Sequence, residues 1–221
     1  MSNDAITDRA ALRTVYREAT EGIANKARPT VDAASADFLA RSTLMVFATT
    51  SDTGTDASPR GGPAGFLKVL DDGTRVAFAD LSGNNRLDSF TNILDHPQVG
   101  ILAIVPGAEE TVRINGHASL SLDEGMLDLT AIDGKRPKVA VVVDIDECFM
   151  HCGKALRRAG VWQPETWPGN DDVPSAGALI NSAYELGGDD AVVELIDADL
   201  EANYVATLWE PGATGDNAAD T

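Results

Sequence analysis

The chain has 221 residues, 35 of them acidic and 17 basic, so its formal net charge is −18. A field of that sign repels nucleic acids and anionic membranes, because both bind surfaces rich in lysine and arginine. Hydrophobic residues make up 43% of the chain and charged residues 24%, a composition typical of a soluble globular protein. We therefore exclude nucleic-acid and membrane partners for this acidic protein.

Targeting signals and cysteines bear on the location. No apolar run reaches the ~20 residues of a membrane span, and the charged N-terminus lacks the apolar core of a secretory signal. The two cysteines, Cys148 and Cys152, are too few for a disulfide framework in a chain of this length. We expect a cytoplasmic protein.

The first eighty residues predict two helices followed by three strands. The helices cover 7–24 and 31–41, each with an apolar stripe. A strand over 44–50 is followed by a turn at 51–56. Two further strands, over 64–70 and 74–80, are joined by Asp72-Gly73, one of the strongest short-range hairpin signals.

The middle of the chain predicts one helix and three more strands. The helix covers 84–95, and the strands cover 98–105, 111–122 and 139–145. The last strand is apolar on both faces, which places it in the centre of a sheet. Six sequential strands with short connections favour an antiparallel barrel with helices attached, within the α+β class.

Beyond residue 146 the pattern becomes helical. Helices are predicted over 147–158, 175–186 and 189–208, and the last residues, 211–221, are expected to form a loose tail. Neither an internal repeat nor a low-complexity linker interrupts the chain. One domain over 1–221 is the simplest organisation, with N-terminal helices (1–40), a barrel (42–146) and a helical C-terminal part (147–210).

Glycine and arginine cluster at both ends of the predicted hairpin, in SPRGG at 58–62 and SGNNR at 82–86. Glycine lets a backbone approach a ligand closely, and arginine offers a planar fork of donors that suits phosphate. Asn85 and Arg86 are predicted in the first turn of a helix, where free N–H groups favour an anion. We interpret the stretch as a site for a cofactor phosphate, which would contact Arg60, Lys68 or Arg86 and the side chains of Asn84 and Asn85. In the alternative interpretation residues 82–84 merely cap a helix and the basic residues are solvated.

Together these residues resemble the FMN-binding split-barrel family related to pyridoxamine 5'-phosphate oxidase. The likeness covers residues 38 to about 165. The motifs that carry it are Ser-Pro-Arg-Gly at 58–61, Gly65-Phe66, Gly-Asn-Asn-Arg at 83–86, Asn-Ile-Leu at 92–94, His96-Pro97 and Val-Arg-Ile-Asn-Gly at 112–116.

The resemblance implies a six-stranded antiparallel split β-barrel that binds FMN as a homodimer, with two flavin sites at the subunit interface. It implies that Ser58, Arg60 and Gly61 line the flavin, and that Lys68, Asn85 and Arg86 hold its phosphate. It further implies that Ala79 and Asp80 lie beside the ribityl chain or ring. Thr111 and Arg113 would reach the pyrimidine side of the isoalloxazine.

Two features of the true pyridoxamine 5'-phosphate oxidases have no counterpart here. Their Ser-Arg-Lys-type phosphate segment is matched by Asn85-Arg86-Leu87, which carries one cation fewer, and no clear match to their C-terminal substrate-phosphate residues is found. The chain is closer to a branch that combines Ser-Pro-Arg-Gly with His-Cys-x-Lys-Ala, here 151–155. The resemblance therefore implies flavin chemistry and leaves the substrate open.

The second motif of that branch has several interpretations. On the predicted helix, Cys148 and Cys152 stand at i and i+4 with His151 close by. A packed helix face is the simplest reading; a structural zinc site needs four ligands, and the chain offers no second Cys/His pair. His151, Lys154 or Trp162 could also reach a partner subunit's flavin, and a nucleophilic cysteine is a further alternative. We predict no metal site.

The function indicated is that of an FMN-dependent oxidoreductase in which the cofactor carries the electrons and the protein positions it. No catalytic side chain is predicted. Two alternatives stay open: a non-enzymatic flavin-binding store or redox sensor, and a related barrel with another cofactor such as a deazaflavin or haem. The partners expected are a second copy of the chain and a small-molecule substrate or electron donor.

Overall fold

The computed structural model describes residues 5–209, apart from the side chain of Asp171. Within them, seven strands form one antiparallel sheet, and eight α-helices flank it. The strands are β1 (Leu44–Ser51), β2 (Gly54–Gly61), β3 (Lys68–Leu70), β4 (Arg75–Ala79), β5 (Gln98–Ile104), β6 (Thr111–Ser121) and β7 (Ala140–His151). The helices are α1 (Arg9–Val15), α2 (Glu21–Ala24), α3 (Ala33–Arg41), α4 (Asp88–Asp95), α5 (Glu124–Leu129), α6 (Lys154–Arg158), α7 (Ala176–Ala183) and α8 (Asp190–Thr207). The expected α+β class with an antiparallel sheet is confirmed.

The sheet has the order β2-β1-β5-β6-β7-β4-β3 and curls around its core. Three strands separate β1 from β4 in that order, yet the rings of Phe47 on β1 and Phe78 on β4 lie 5.2 Å apart, edge to face. The two edge strands, β2 and β3, are not paired with each other within residues 5–209, so the sheet stays open there.

Alternation along β1 separates the two faces of the sheet. Met45, Phe47 and Thr49 are buried in the core, which we call the inner face. Val46 and Ala48 point the other way and are half-buried on what we call the outer face. Helices α3 and α4 contribute to the inner side, through Leu39 and Ile93 among others.

The predicted strand count of six is one too low, because the sequence predicts a turn at 51–56 and a binding segment at 58–62 where the structure has β2. Its proline and glycines are typical of turns, but β2 is an edge strand, and proline is tolerated there because its missing N–H faces no neighbour. Pro59 stands opposite Val46 of β1 in regular antiparallel register.

The helix predicted over 147–158 is wrong in its first half. Strand β7 continues to His151, which stands opposite Thr111 of β6, and α6 begins only at Lys154. A bulge shifts the register near Asn115 and Gly116, so Ile145 and Cys148 are both buried although three positions apart. That break in alternation imitates a helical period. Cys148 and Cys152 therefore do not share a helix face.

The helix predicted over 84–95 begins later, at Asp88. Asn85 and Leu87 have φ angles of 57° and 58°, in the left-handed region, which interrupts any helix before residue 88. Asn85 and Arg86 are thus not in a first helical turn, contrary to prediction.

One further prediction, a hairpin, is confirmed, and two features of the helices differ from prediction. The hairpin across Asp72-Gly73 is confirmed as the β3–β4 pair, whereas the helix predicted over 7–24 is split into α1 and α2, and α5 was not predicted. The predicted tail at 211–221 lies outside the described residues. Among residues 5–209, none of the helices combines the length and apolar character needed to cross a lipid bilayer.

Candidate functional site

A polar row on the inner face of β2 lies under helix α4. Asp56, Ser58 and Arg60 alternate along the strand, opposite the buried side of β1. Arg60 Nη2 donates to Ser89 Oγ on α4 at 3.1 Å, and Ser58 Oγ lies 3.5 Å from the same hydroxyl. These contacts tie the Ser-Pro-Arg-Gly segment to the start of α4.

A buried amide fixes α4 more firmly. Asn92 Nδ2 donates to Thr49 Oγ1 on β1 at 2.9 Å and to Asp56 Oδ2 on β2 at 2.7 Å. Because Asn92 and Thr49 are both buried, each depends on the other for hydrogen bonding. The helix is thereby held in one position over the two strands, and so is its N-terminus.

The space between β2, the N-terminus of α4 and the segment that follows β4 is a cavity of about 240 Å³, which we call the corner cavity. Six of the residues predicted to bind the cofactor line it: Ser58, Arg60, Asp80, Asn84, Asn85 and Arg86. The structure thus brings together both glycine–arginine clusters of the sequence.

Arg60 is the half-buried cation of this cavity. Its Nε is buried and has no hydrogen-bond partner among the described residues, while its Nη2 holds Ser89. Burial lowers the pKa of Arg60 and raises the pKa of Asp80, and the attraction between the two opposes both shifts. Arg60 therefore retains donor capacity that the protein itself does not use.

Arg86 is in a different situation. Its side chain is 72% exposed, and its Nε donates to Asp88 Oδ2 at 2.9 Å, which raises the pKa of Arg86. Asn84 Oδ1 accepts from the backbone N–H of Arg86 at 3.1 Å. Since Asp88 already occupies Arg86, an anion would have to compete for this arginine.

The charges around the corner cavity nearly balance. Three carboxylates (Asp56, Asp80 and Asp88) and two guanidinium groups (Arg60 and Arg86) line it, a net charge of −1. The first turn of α4 has no side-chain cap, so its N–H groups remain available to an anion. A dianion would find donors here but no surplus of positive charge.

Two other predicted residues, Gly61 and Ala79, lie beside Arg60 in an adjoining cavity of about 370 Å³. Its far wall is formed by Leu208 and Trp209, just beyond the end of α8. Lys68, on the edge strand β3, lines neither cavity, and its side chain has no hydrogen bond or ion pair within residues 5–209.

Thr111 and Arg113 lie on the opposite face of the sheet. The register aligns Val46, Leu102 and Arg113 across β1, β5 and β6, so Arg113 shares the outer face with Val46. Both predicted residues line a cavity of about 470 Å³, which we call the outer cavity. Its lining is completed by Val46, Ala48, Gly100, Ile101, Leu102, Asn115, His151, Cys152, Ala155 and Leu156.

The cysteine–histidine segment divides between the core and the outer cavity. Cys148 is buried, and burial raises the pKa of its thiol to about 11. His151 and Cys152 line the outer cavity, where burial, Lys26 and Arg113 lower the pKa of His151. Within the described part of the chain, no three histidine, cysteine or acidic side chains gather as metal ligands would.

Sequence reasoning missed Ser89 and Asn92 as partners of the polar row. The signal was present: Asp56, Ser58 and Arg60 have the period of two that a strand requires, and Ser89 and Asn92 share one face of α4. His117 Nδ1 lies 2.9 Å from Asp146 Oδ2 on the exposed side of the bulge.

The fold and the corner define an α+β protein with an arginine-bearing site under helix α4, and comparison gives the family. The model of the family described as pyridoxamine 5'-phosphate oxidase matches residues 31–152, more than half of the chain. The chain belongs to this family.

Solved structures with a similar fold were also found. HupZ of Group A Streptococcus shares 16% identity over 52% of this chain and 89% of its own, with a TM-score of 0.42. General Stress Protein 26 of Bacillus anthracis str. Sterne shares 13% identity over 52% of this chain and 88% of its own, with a TM-score of 0.40. The FAD binding protein of Mycobacterium smegmatis shares 18% identity over 55% of this chain and 95% of its own, also with a TM-score of 0.40. Likenesses this distant do not indicate what this chain binds. No curated protein matches the chain.

Proposed function

We propose that the protein is an FMN-dependent oxidoreductase of this family. The observation that carries the proposal is the corner cavity, where Arg60 keeps an unused buried donor beside the uncapped N-terminus of α4. A phosphate ester suits such a corner, because guanidinium forks and free helical N–H groups both donate to its oxygens. When bound, FMN supplies the hydride or electron transfer; the chain's own residues bind and orient it.

Arg60 is the principal phosphate ligand in this proposal. The amide side chains of Asn84 and Asn85 line the same space and can donate to phosphate oxygens. Arg86 contributes once it turns away from Asp88. Gly61 and Ala79 leave room beside Arg60 for the flavin, and the family resemblance implies that Ala79 lies beside its ribityl chain or ring.

The opposite faces of the sheet support a homodimer with flavin sites at the interface. In one chain, Arg60 faces the inner side and Arg113 the outer side. One flavin can contact Arg60 as well as Thr111 and Arg113 only if a second subunit supplies the outer-face residues. The charge balance agrees with this, since a corner of net charge −1 gains positive charge from a neighbouring outer face.

Two finer expectations belong to the same proposal. The curl that brings Phe47 to Phe78 supports the split barrel implied by the resemblance, with β2 as a seventh strand. A cytoplasmic location is consistent with Cys148 and Cys152, neither of which is in a disulfide.

The test is FMN binding by the full chain and by matched arginine variants, followed through quenching of flavin fluorescence. We expect one FMN per chain and at least tenfold weaker binding by Arg60→Met, since a charge-assisted contact contributes about 1.5–3 kcal/mol. Arg136→Met is the control, because Arg136 pairs with Asp128 and Glu124 away from both faces of the site.

A colourless protein that ignores added FMN, or equal losses in both variants, would overturn the proposal. Oxidation of NADH or NADPH by the flavin-loaded protein with an electron acceptor then separates an enzyme from a flavin store. Flavin binding without any turnover would leave binding as the whole function.

A further inference from the structure

The outer cavity has an apolar body and a polar end. Its volume of about 470 Å³ lies in the range of small-molecule sites. Val46, Leu102 and Leu156 supply apolar wall, whereas Arg113 and His151 stand on neighbouring strands at the polar end. A ligand that fits both parts carries an apolar body and one polar group.

Arg113 determines what that polar group is. Its Nε donates to Asn115 Oδ1 at 3.2 Å, and its guanidinium lies 5.2 Å from the centre of the Phe149 ring. The described residues include no carboxylate in an ion pair with it, although the chain holds twice as many acidic as basic residues. Both terminal nitrogens of Arg113 can therefore donate to a carboxylate or a similar planar anion.

The surroundings keep this end of the cavity positive. Lys26 Nζ lies 4.5 Å from the centre of the same Phe149 ring and donates to Met150 O at 3.1 Å. The carboxylate of Glu147 is held by Asn115 Nδ2 at 2.9 Å, so Asn115 stands between Glu147 and Arg113. Burial lowers the pKa of His151, and Lys26 and Arg113 lower it further because both repel its protonated form.

We infer that the outer cavity binds an organic anion with an apolar body, whose carboxylate is held by Arg113. The assignment of this cavity as the substrate site of a flavin enzyme rests on the function proposed above, whereas the binding of the anion does not. The corner cavity holds the cofactor phosphate, and in the outer cavity Arg113 holds the substrate's carboxylate beside the pyrimidine side of the flavin that it also contacts. A carboxylate site distinguishes this protein from an enzyme that recognises its substrate through a phosphate group.

The test is isothermal titration calorimetry of the full chain with 4-phenylbutyrate and with its neutral counterpart, 4-phenylbutanamide, with and without saturating FMN. We expect 4-phenylbutyrate to bind at one site per chain and the amide about tenfold more weakly or worse, since a charge-assisted hydrogen bond is lost. Arg113→Met should weaken the acid by a similar factor and leave the amide unchanged.

Two further variants complete the design. Arg113→Lys keeps the charge without the fork and should bind the acid with intermediate affinity, which guards against a folding defect of Arg113→Met. Arg41→Met is the control, because Arg41 is an exposed residue of α3 paired with Asp37. It should bind both probes as the original protein does.

Each remaining outcome overturns the inference. Equal affinity for the acid and the amide would show that the cavity does not recognise a negative charge. Unchanged binding by Arg113→Met would show that this arginine does not hold the carboxylate, and no binding of either probe would show that the cavity is not a binding site. One-for-one displacement of the probe by FMN would show that the flavin and the anion cannot occupy the cavity together. If the probe binds as expected but FMN does not, the proposed function fails while the anion site stands.

Discussion

Arg60 on β2 donates its Nη2 to Ser89 Oγ on α4 at 3.1 Å, while its Nε lies buried without a partner. One arginine thus joins the strand to the helix and keeps a donor in reserve. We expect Arg60→Lys to weaken FMN binding about tenfold, because an ammonium group lacks the planar fork. Ser89→Ala should weaken it less, since only the positioning of Arg60 is lost. Flavin-fluorescence titration measures both, and a reversed order would contradict this division of roles.

Asp88 restrains the second arginine of the corner, and its removal should tighten FMN binding. Asp88→Asn releases Arg86 from its ion pair and brings the net charge of the corner cavity from −1 to zero. Because the pair is exposed, we expect a gain of roughly threefold. The same change should cost about 0.5 kcal/mol of stability, since a carboxylate in the first turn favours the helix dipole.

The same helix offers a matched control for this experiment. Asp95 is the last residue of α4, away from the corner cavity. Asp95→Asn should leave FMN affinity unchanged and stabilise the helix slightly, because a carboxylate at a C-terminus opposes the dipole. Weaker FMN binding by Asp88→Asn would show that the corner is not the phosphate site.

Subunit complementation tests whether a flavin contacts both faces. Arg60→Met and Arg113→Met dimers should each bind FMN weakly. After the two are unfolded, mixed in equal amounts and refolded, half of the dimers are mixed, and each mixed dimer holds one site with both arginines intact. We expect about a quarter of the sites to recover full affinity. No recovery, together with a dimer confirmed by sedimentation, would place the contacts of each flavin within one chain.

Gly116 allows the bulge that sets the phase of β7. A Cβ built on Gly116 would lie 2.0 Å from the carbonyl oxygen of Asp144, and that backbone cannot retreat without breaking the β6–β7 pairing. We expect Gly116→Ala to lower the free energy of unfolding by about 1–3 kcal/mol or more. Gly54→Ala, where a Cβ meets open space, should change it by less than about 0.5 kcal/mol. Denaturant unfolding measures both.

That bulge also explains where sequence reasoning failed. Local signals were sufficient for the Asp72-Gly73 hairpin and for the alternation of β6, because turn chemistry and the period of two are written in neighbouring residues. The end of β7 depends instead on pairing with β6, a contact between residues distant in the chain. The extra residue in β7 broke the alternation and made 147–151 look helical.

The site was predictable to a similar degree. The grouping of Arg60 with Asn84, Asn85 and Arg86 follows from the composition of both glycine-rich segments and is found in the corner cavity. The ion pair between Arg86 and Asp88 was not foreseen, because a helix beginning at residue 84 would have turned the two side chains differently. The separation of Arg60 from Arg113 depends on sheet register, which composition does not contain.

Cys148 gives the protein a measurable loss of stability in alkali. Its thiol has a pKa of about 11 in the fold because burial disfavours the thiolate, against 9.0 for an ordinary thiol. Below pH 9 the thiol is protonated in both states and costs nothing. As the pH rises from 9 to 11 only the unfolded chain loses the proton, so unfolding becomes easier, by up to about 1.4 kcal/mol per unit of pKa difference.

Cys148→Ala removes this dependence, and Cys152→Ala, at an exposed thiol, is the control. Urea unfolding at pH 8 and 10.5 should therefore show a smaller loss in Cys148→Ala than in the other two proteins; equal losses would mean that the buried thiol titrates as it does in the unfolded chain.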